Sequence, residues 1–201
     1  MSIKWFTELK KVKFPNKPWL ILGKGPSFEK FYKYPAGEFN VFGLNHVGEK
    51  LMTAITLFID VDVYSETILK KAKFIVAPQH PHVKFRAAVH TLGELIEPHE
   101  RLFQFRLSTW KRYRDFETTA KTFQRQPIIQ TKFFSAEAAF QIFGYLRLAR
   151  EVYSLGVDGG TQYASKFQDQ TPLQNGQPNF DRQFGEIENT CKKFNLNWEK
   201  L

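Results

Sequence analysis

Several kinds of residue and segment are scarce in this chain. Its 201 residues include one cysteine, Cys191, and two methionines. A single cysteine excludes a disulfide bond within the chain and favours a reducing compartment. No stretch approaches the roughly 20 apolar residues that cross a bilayer, and the first residues contain lysines rather than the apolar run of a signal peptide. We therefore expect a cytoplasmic protein without a transmembrane segment.

Acidic residues are also in short supply. There are 20 Asp and Glu against 29 Lys and Arg, which gives a formal net charge of +9. This balance favours a polyanionic partner such as nucleic acid, an acidic membrane surface or a phosphorylated substrate. The alternative is a basic protein that is simply soluble. The length and the 42% hydrophobic content predict one compact domain over residues 1–201 with a core of its own.

Short apolar runs that stop at a polar or turn-forming residue recur along the first half of the chain. Residues 18–22 stop at Gly23, 40–44 at Asn45, 56–59 at Asp60, and 73–77 at Pro78. Such runs are typical of buried strands in a parallel sheet. Ligands of open α/β sheets bind beyond the carboxyl ends of the strands, so we expect the site there.

Two helices and two further strands are predicted in the second half. Ser135 is the candidate cap of a helix over residues 136–150, followed by a strand over residues 152–157. Apolar residues on one helical face predict a second helix from about 180 to 194, with Cys191 as a core residue, and a last strand over 196–198. The alternation predicts an α/β fold, a Rossmann-like, doubly wound, mainly parallel sheet with helices on both faces.

The loop after the first strand reads Gly23-Lys24-Gly25-Pro26-Ser27. Glycines let the backbone turn tightly and approach a phosphate or ribose, Pro26 stiffens the turn, and Ser27 offers a hydroxyl and a helix cap. The loop matches neither the Walker A motif nor the dinucleotide fingerprint. A nucleotide-binding loop and a purely structural turn are both consistent with it.

Asp60 and Asp62 follow the third predicted strand in an Asp-x-Asp pattern. Hard cations such as Mg²⁺ and Mn²⁺ prefer carboxylate oxygens, and residues two apart on a strand face the same side. One interpretation is therefore a divalent metal site on a donor diphosphate, and the other is a strand end with solvated carboxylates. No third residue stands at ligand spacing from His80 and His82, which we interpret as loop residues.

Residues 101–134 combine many basic and aromatic side chains with only two acidic ones. Basic residues interleaved with aromatic rings suit phosphates and stacked bases. A solvated helix face above buried rings would show the same composition. We expect an acceptor or nucleic-acid-binding region here, and its candidate contacts are Trp110, Lys111, Arg112 and Arg114.

Four short blocks occur in a particular order and spacing, at residues 20–27, 41–45, 133–137 and 152–158. In this order they resemble the bacterial CMP-sialic-acid-dependent sialyltransferases and the related 6-hydroxymethylpterin diphosphokinases. The resemblance implies that the donor nucleotide is held by Gly23, Lys24, Gly25, Pro26 and Ser27. It further implies contacts from Asn45 to phosphate or sugar, from Lys132 and Ser135 to the nucleotide, from Asp158 to base or ribose, and from Tyr163 to the leaving phosphate.

The chain departs from the sialyltransferase pattern at the general base. Those enzymes place a catalytic histidine shortly before the last helix, and residues 177–182 contain none. Asp181 is a candidate base at that place, because a carboxylate near a hydroxyl accepts its proton. Asp60 and Asp62 are the alternatives.

We therefore expect a glycosyltransferase that uses a nucleotide-sugar donor. Its acceptor hydroxyl would belong either to a hydroxylated DNA base, as in phage-type DNA modification, or to a surface glycan. A base within duplex DNA would have to be flipped out of the stack. A diphosphokinase acting on a small hydroxymethyl compound, which needs ATP and Mg²⁺, is one alternative. A non-catalytic nucleotide- or nucleic-acid-binding module is the other.

Overall fold

The structure is a computed structural model, and it describes residues 2–84, 86, 87, 90–109 and 126–201. The strands are β1 (Lys4–Trp5), β2 (Trp19–Leu22), β3 (Asn40–Leu44), β4 (Thr53–Leu57), β5 (Ala72–Pro78), β6 (His82–Val83), β7 (Arg86–Ala87), β8 (Leu102–Thr109), β9 (Ile128–Thr131), β10 (Glu151–Leu155) and β11 (Asn197–Lys200). The α-helices are α1 (Val47–Lys50), α2 (Glu66–Lys71), α3 (Leu92–Leu95), α4 (Ser135–Leu146) and α5 (Gln183–Phe194). Short 3₁₀ helices lie at Phe6–Lys11, Pro26–Lys33, Val61–Val63 and Ser165–Phe167.

Nine of these strands form one sheet in the order β1-β8-β5-β4-β3-β2-β10-β11, with β9 paired to β8. Every pairing described in this sheet is parallel, whereas β6 and β7 form a separate antiparallel pair. From β2 the chain adds β3, β4 and β5 on one side, and it later adds β10 and β11 on the other. The strand order therefore reverses between β2 and β10, which is where doubly wound sheets bind ligands.

The sheet is covered on both faces. Successive side chains of a strand point to opposite faces, and β2 separates them in this way. Trp19 and Ile21 join a core that includes residues of α4 and α5, among them Cys191. Leu20 and Leu22 join a second core with Phe28 and Phe167 from the 3₁₀ helices. The predicted fold class and the core position of Cys191 are confirmed.

Some predicted boundaries are wrong by a few residues. The prediction began the third strand at residue 56, but β4 spans Thr53–Leu57, so Asp60 lies beyond the strand rather than next to its end. The first long helix was predicted to reach residue 150, but α4 ends at Leu146 because Arg147 adopts the left-handed conformation. Ser135 is the first residue of this helix and not its cap, which is Phe134. None of the described helices is long and apolar enough to cross a bilayer.

Candidate functional site

A cleft of about 1140 Å³ opens at the carboxyl ends of the central strands. Its walls come from residues 23–25 after β2, Asn45 and His46 after β3, Asp60 and Asp62 after β4, residues 131–136 at the start of α4, and residues 156–158 after β10. Part of the 169–177 segment and the start of α5 complete the lining. The cleft therefore lies at the point where the strand order reverses.

The glycines of the first loop are required by its packing against the loop after β10. A Cβ atom on Gly23 would overlap the carbonyl group of Gly156, and a Cβ on Gly25 would overlap the side chain of Asp158. Gly156 itself has a φ of +66°, which favours glycine. The Gly25 N–H donates to the Gly156 carbonyl at 2.8 Å. The two loops thus touch through their backbones, and the same loop lines the cleft.

Ser27 and Asp158 fasten these two loops together. The Asp158 carboxylate accepts hydrogen bonds from the Ser27 N–H and from the Ser27 hydroxyl, both at 2.7 Å. The Ser27 hydroxyl oxygen in turn accepts from the Gly156 N–H at 2.7 Å. Asp158 lines the cleft, whereas Ser27 and the exposed Pro26 stand behind its wall. Ser27 and Pro26 therefore shape the loop from outside the cleft.

Substitution of Gly23 by alanine is expected to destabilise the protein. The added methyl group has to displace the backbone at Gly156, and overpacking of this kind costs about 1–3 kcal/mol in the free energy of unfolding. Gly185 in α5 is the matched control, because a Cβ there meets no atom within 4 Å. Gly185→Ala should stabilise the helix by up to about 1 kcal/mol. Denaturant unfolding of both variants measures the difference, and equal stability of Gly23→Ala and the wild type would contradict the close approach.

Lys24 lines the cleft and contacts two other lining residues. Its ammonium group lies 4.2 Å from the centre of the Tyr163 ring and donates a hydrogen bond of 2.7 Å to the side chain of Gln170. Burial lowers the pKa of Lys24 to about 8, against the opposing influence of the Asp169 charge. Burial also raises the pKa of Tyr163 to about 12, so its phenol keeps its proton at neutral pH. Together they offer a charged and a neutral donor to an anion.

The start of α4 and the residues before it supply another part of the lining. The Asn45 side chain donates to the Ser135 hydroxyl at 3.2 Å, which links the end of β3 to the helix. Asn45 adopts a left-handed conformation with a φ of +52°, which asparagine tolerates better than most residues. The Lys132 ammonium group lies 2.6 Å from the Glu186 carboxylate on α5. The structure therefore places Asn45, Ser135 and Lys132 in the lining of one cleft, and their contacts with a nucleotide stay a prediction.

Glu137 holds residues 132–134 in place through hydrogen bonds to its buried carboxylate. It is buried, and its carboxylate accepts hydrogen bonds from the N–H groups of Lys132, Phe133 and Phe134 at 2.7, 3.0 and 2.9 Å. Burial raises the pKa of Glu137 to about 7, although the three N–H groups act in the other direction. The first turn of α4 and the residues before it are thereby held against the cleft.

Asp60 and Asp62 both line the cleft, but not as neighbours on a strand. They flank the start of the Val61–Val63 3₁₀ helix, and Asp60 accepts the Asp62 N–H at 3.2 Å. Asp60 is buried, while the exposed Asp62 accepts the N–H of Lys84 at 2.5 Å. Hydrogen bonds to Asp60 and Lys84 lower the pKa of Asp62. The prediction that both carboxylates follow a strand directly is wrong, because β4 stops at Leu57.

These two carboxylates alone do not make a metal centre. Of the residues that the structure describes, no three or more His, Cys, Asp or Glu side chains are grouped so as to hold a metal ion. One oxygen of each carboxylate already accepts a backbone N–H. The part of the chain that the structure describes thus offers two carboxylates here and no third protein ligand grouped with them.

Asp181, the other candidate base, is not part of the cleft lining. Its side chain is exposed and accepts the Gly160 N–H at 3.3 Å. A Cβ on Gly159 would overlap the Asp181 carboxylate, so the two segments are in close contact. Its neighbours Phe180 and Arg182 do line the cleft. The predicted segment therefore reaches the cleft through Phe180 and Arg182, while the Asp181 carboxylate lies outside the cleft wall.

The basic and aromatic segment is described only at its two ends. Phe103 and Phe105 lie in the sheet core, and Arg106 is buried as well, because β8 is an internal strand over this part. Phe133 and Phe134 line the cleft. The rings of β8 are therefore not a stacking surface. The four candidate contacts, Trp110, Lys111, Arg112 and Arg114, lie outside the described residues.

Several cleft residues were missed by the sequence analysis. His46 and His82 line the cleft, although their isolated or loop positions gave no motif. Asn175 donates to the carbonyl of Phe133 at 2.7 Å and connects the turn-rich segment with the start of α4. The only available signal for His46 was its place directly after Asn45 at a strand end.

No protein-family model and no curated protein matches this chain. Among solved structures, the sialyltransferase CST-II in complex with a trisaccharide acceptor and CMP has a similar fold, with a TM-score of 0.56. The two chains are 16% identical, and the similarity covers 92% of this chain and 81% of CST-II. The shared fold is the one that the resemblance to sialyltransferases implies.

Proposed function

We propose that this protein is a glycosyltransferase that moves a sugar from a nucleotide-sugar donor to a hydroxyl group. The observation that carries the proposal is the cleft at the reversal of strand order, with the Gly23–Gly25 backbone and the Lys24 ammonium group in its wall. CST-II, which shares the fold, holds CMP in its crystal structure. A partly buried ammonium group in a cleft of this kind suits the phosphate of a nucleotide.

In the proposed reaction the acceptor oxygen attacks the anomeric carbon of the donor sugar. The bond between that carbon and the phosphate oxygen breaks, and the nucleotide leaves with the electron pair. Lys24 and the protonated Tyr163 phenol stabilise the charge that develops on the leaving phosphate. Asp60 accepts the proton of the acceptor hydroxyl, since it is the carboxylate that combines burial with a place in the cleft wall.

The proposal is tested with a panel of CMP, UDP, GDP, ATP and the corresponding nucleotide sugars. We expect one nucleotide and its sugar to bind, and the sugar donor to be consumed when an acceptor is supplied. Calorimetry measures binding, and mass spectrometry measures the released nucleotide. Binding of ATP alone, with transfer of diphosphate to a hydroxymethyl compound in the presence of Mg²⁺, would instead identify a diphosphokinase. Nucleotide binding without turnover of any donor would identify a binding module.

We propose that the acceptor of the sugar is a glycan. CST-II holds a trisaccharide acceptor, and the rings of β8 are buried here rather than offered to bases. The net charge of +9 favours the alternative, a hydroxylated DNA base. That alternative predicts binding to duplex DNA with a log–log salt slope of about −0.9 per contacted phosphate. It also predicts loss of binding when Lys111 and Arg112 are changed to glutamate, while transfer to a glycan would be indifferent to both tests.

A further inference from the structure

His46 lines the cleft but has no role in the proposed transfer reaction. It directly follows Asn45 at the end of β3 and lines the same cleft as the Gly23–Gly25 loop. The charge of Lys24 contributes to the lowered pKa of His46, so the two side chains lie within electrostatic reach of each other. His46 and Lys24 line the same cleft, so the ring is placed to contact an anion that binds there.

The two nitrogens of the His46 ring differ in their surroundings. Nδ1 is buried and has no hydrogen-bond partner among the described residues. A buried N–H without an acceptor is costly, and orphaned donors are rarer in proteins than acceptors with a spare lone pair. The favourable tautomer therefore leaves Nδ1 without a proton and places the proton on Nε2. Nε2 then carries the N–H of a side chain that lines the cleft.

The pKa of His46 indicates that the ring is uncharged at neutral pH. Burial has the largest influence on the pKa of His46 and lowers it, and the Lys24 charge lowers it further. Glu49 and Asp169 act in the opposite direction, and Lys50 acts in the same direction as Lys24. The net result is a pKa below the ordinary value for histidine. At neutral pH, His46 thus adds a hydrogen-bond donor to the cleft without adding a positive charge.

We propose that His46 donates a hydrogen bond from Nε2 to an anionic oxygen of the bound donor, and that Lys24 binds the same anionic group. The oxygen belongs either to the donor phosphate or to a carboxylate of its sugar, since both are strong acceptors. This inference rests on the proposed function only in that the donor occupies the cleft. It adds a specificity residue that no sequence motif indicates.

The tautomer is measured first, on the full chain without ligand. Long-range ¹H–¹⁵N spectra separate protonated from bare ring nitrogens, and the His46→Gln variant assigns the signal. We expect a bare Nδ1 and a protonated Nε2 at pH 7, with a shift of the Nε2 signal when inorganic phosphate or CMP is added. A ring protonated on Nδ1, or charged at pH 7, would overturn the inference.

Two variants then test the contact itself. His46→Leu removes the donor, and we expect CMP affinity to fall about tenfold, the usual effect of losing one hydrogen bond to a charged group. His46→Gln keeps an N–H donor at a similar distance and should restore most of the affinity. His90→Leu is the matched control, because His90 is exposed and does not line the cleft. Thermal unfolding of each variant confirms that it is folded.

The outcomes separate this inference from the proposed function. Unchanged affinity of His46→Leu for CMP, CMP-sugars and inorganic phosphate overturns the inference, even if the protein transfers sugar. A loss seen with CMP assigns the contact to the phosphate, and a loss seen only with an acidic CMP-sugar assigns it to the carboxylate. If no nucleotide sugar is a substrate, the proposed function fails, whereas the tautomer and phosphate experiments still decide the role of His46.

Discussion

Replacement of Asp60 by asparagine is expected to lower the rate of sugar transfer by about 10²–10⁴-fold, the usual contribution of a general base. The amide is close in size to the carboxylate and keeps an oxygen that accepts the Asp62 N–H, so the Val61–Val63 turn should persist. The amide cannot take the proton of the acceptor hydroxyl. Affinity for the nucleotide should change little. Steady-state kinetics together with calorimetry on the same preparation measures both quantities.

Two comparisons make this result specific. Asp181→Asn should keep most of the activity, because Asp181 is exposed and does not line the cleft. If Asp181→Asn is inactive and Asp60→Asn is active, the base is Asp181, as its place before the last helix suggests.

Transfer by the wild type should also be unchanged in excess chelator. Loss of transfer on chelation, restored by Mg²⁺ or Mn²⁺, would make Asp60 and Asp62 metal ligands instead.

Replacement of Lys24 by methionine is expected to weaken donor binding by about tenfold to a hundredfold. Methionine keeps most of the length of the apolar stem, so the contact with Tyr163 is largely preserved, while the ammonium group is lost. A hydrogen bond to a charged group contributes about 1.5–3 kcal/mol, which corresponds to this range. Calorimetric titration with the nucleotide measures the loss. Lys33→Met is the control, since Lys33 is exposed at the end of its 3₁₀ helix and outside the cleft.

The pH dependence of donor binding follows from the same residue. Burial lowers the pKa of Lys24 to about 8, so the free protein carries the charge below pH 8 and loses it above. A bound phosphate favours the charged form and raises this pKa. Donor affinity should therefore be level near pH 7 and fall as the pH rises through 8, by up to about tenfold per unit. The Lys24→Met variant should lack this fall, and a wild-type affinity that stays level to pH 10 would contradict the assignment.

Much of the fold could be predicted because the strands are buried on both faces. β2 and β3 are continuous apolar runs that end at glycine and asparagine, and both were placed correctly at their carboxyl ends. The errors lie where tertiary contacts decide a boundary. α4 stops at Leu146 because Arg147 adopts a left-handed conformation, and arginine gives no local signal for that.

Cleft residues were predictable where they directly follow a strand, as Gly23 and Asn45 do, whereas Asp158 lies beyond the end of β10 at Leu155. The role of a residue was not predictable where it depends on partners that only the fold brings into contact with it. Glu137 was visible as an acidic residue in the first turn of a helix, but its three N–H partners became apparent only in the fold. Gln170 was unremarkable in sequence, because its contact with Lys24 spans 146 positions.

The contact between Ser27 and Asp158 also has a consequence for the order in which the protein acquires its site. The two residues are 131 positions apart, yet their hydrogen bonds fix the shape of the loop after β2. Contacts of such long sequence separation form slowly, because closing the long loop costs chain entropy before the contact stabilises the protein. During synthesis the first loop therefore lacks its partners Gly156 and Asp158 until β10 and the residues after it have left the ribosome. We expect the glycine loop to be among the last parts of the sheet to reach its final structure, so that nucleotide binding reports on completed folding.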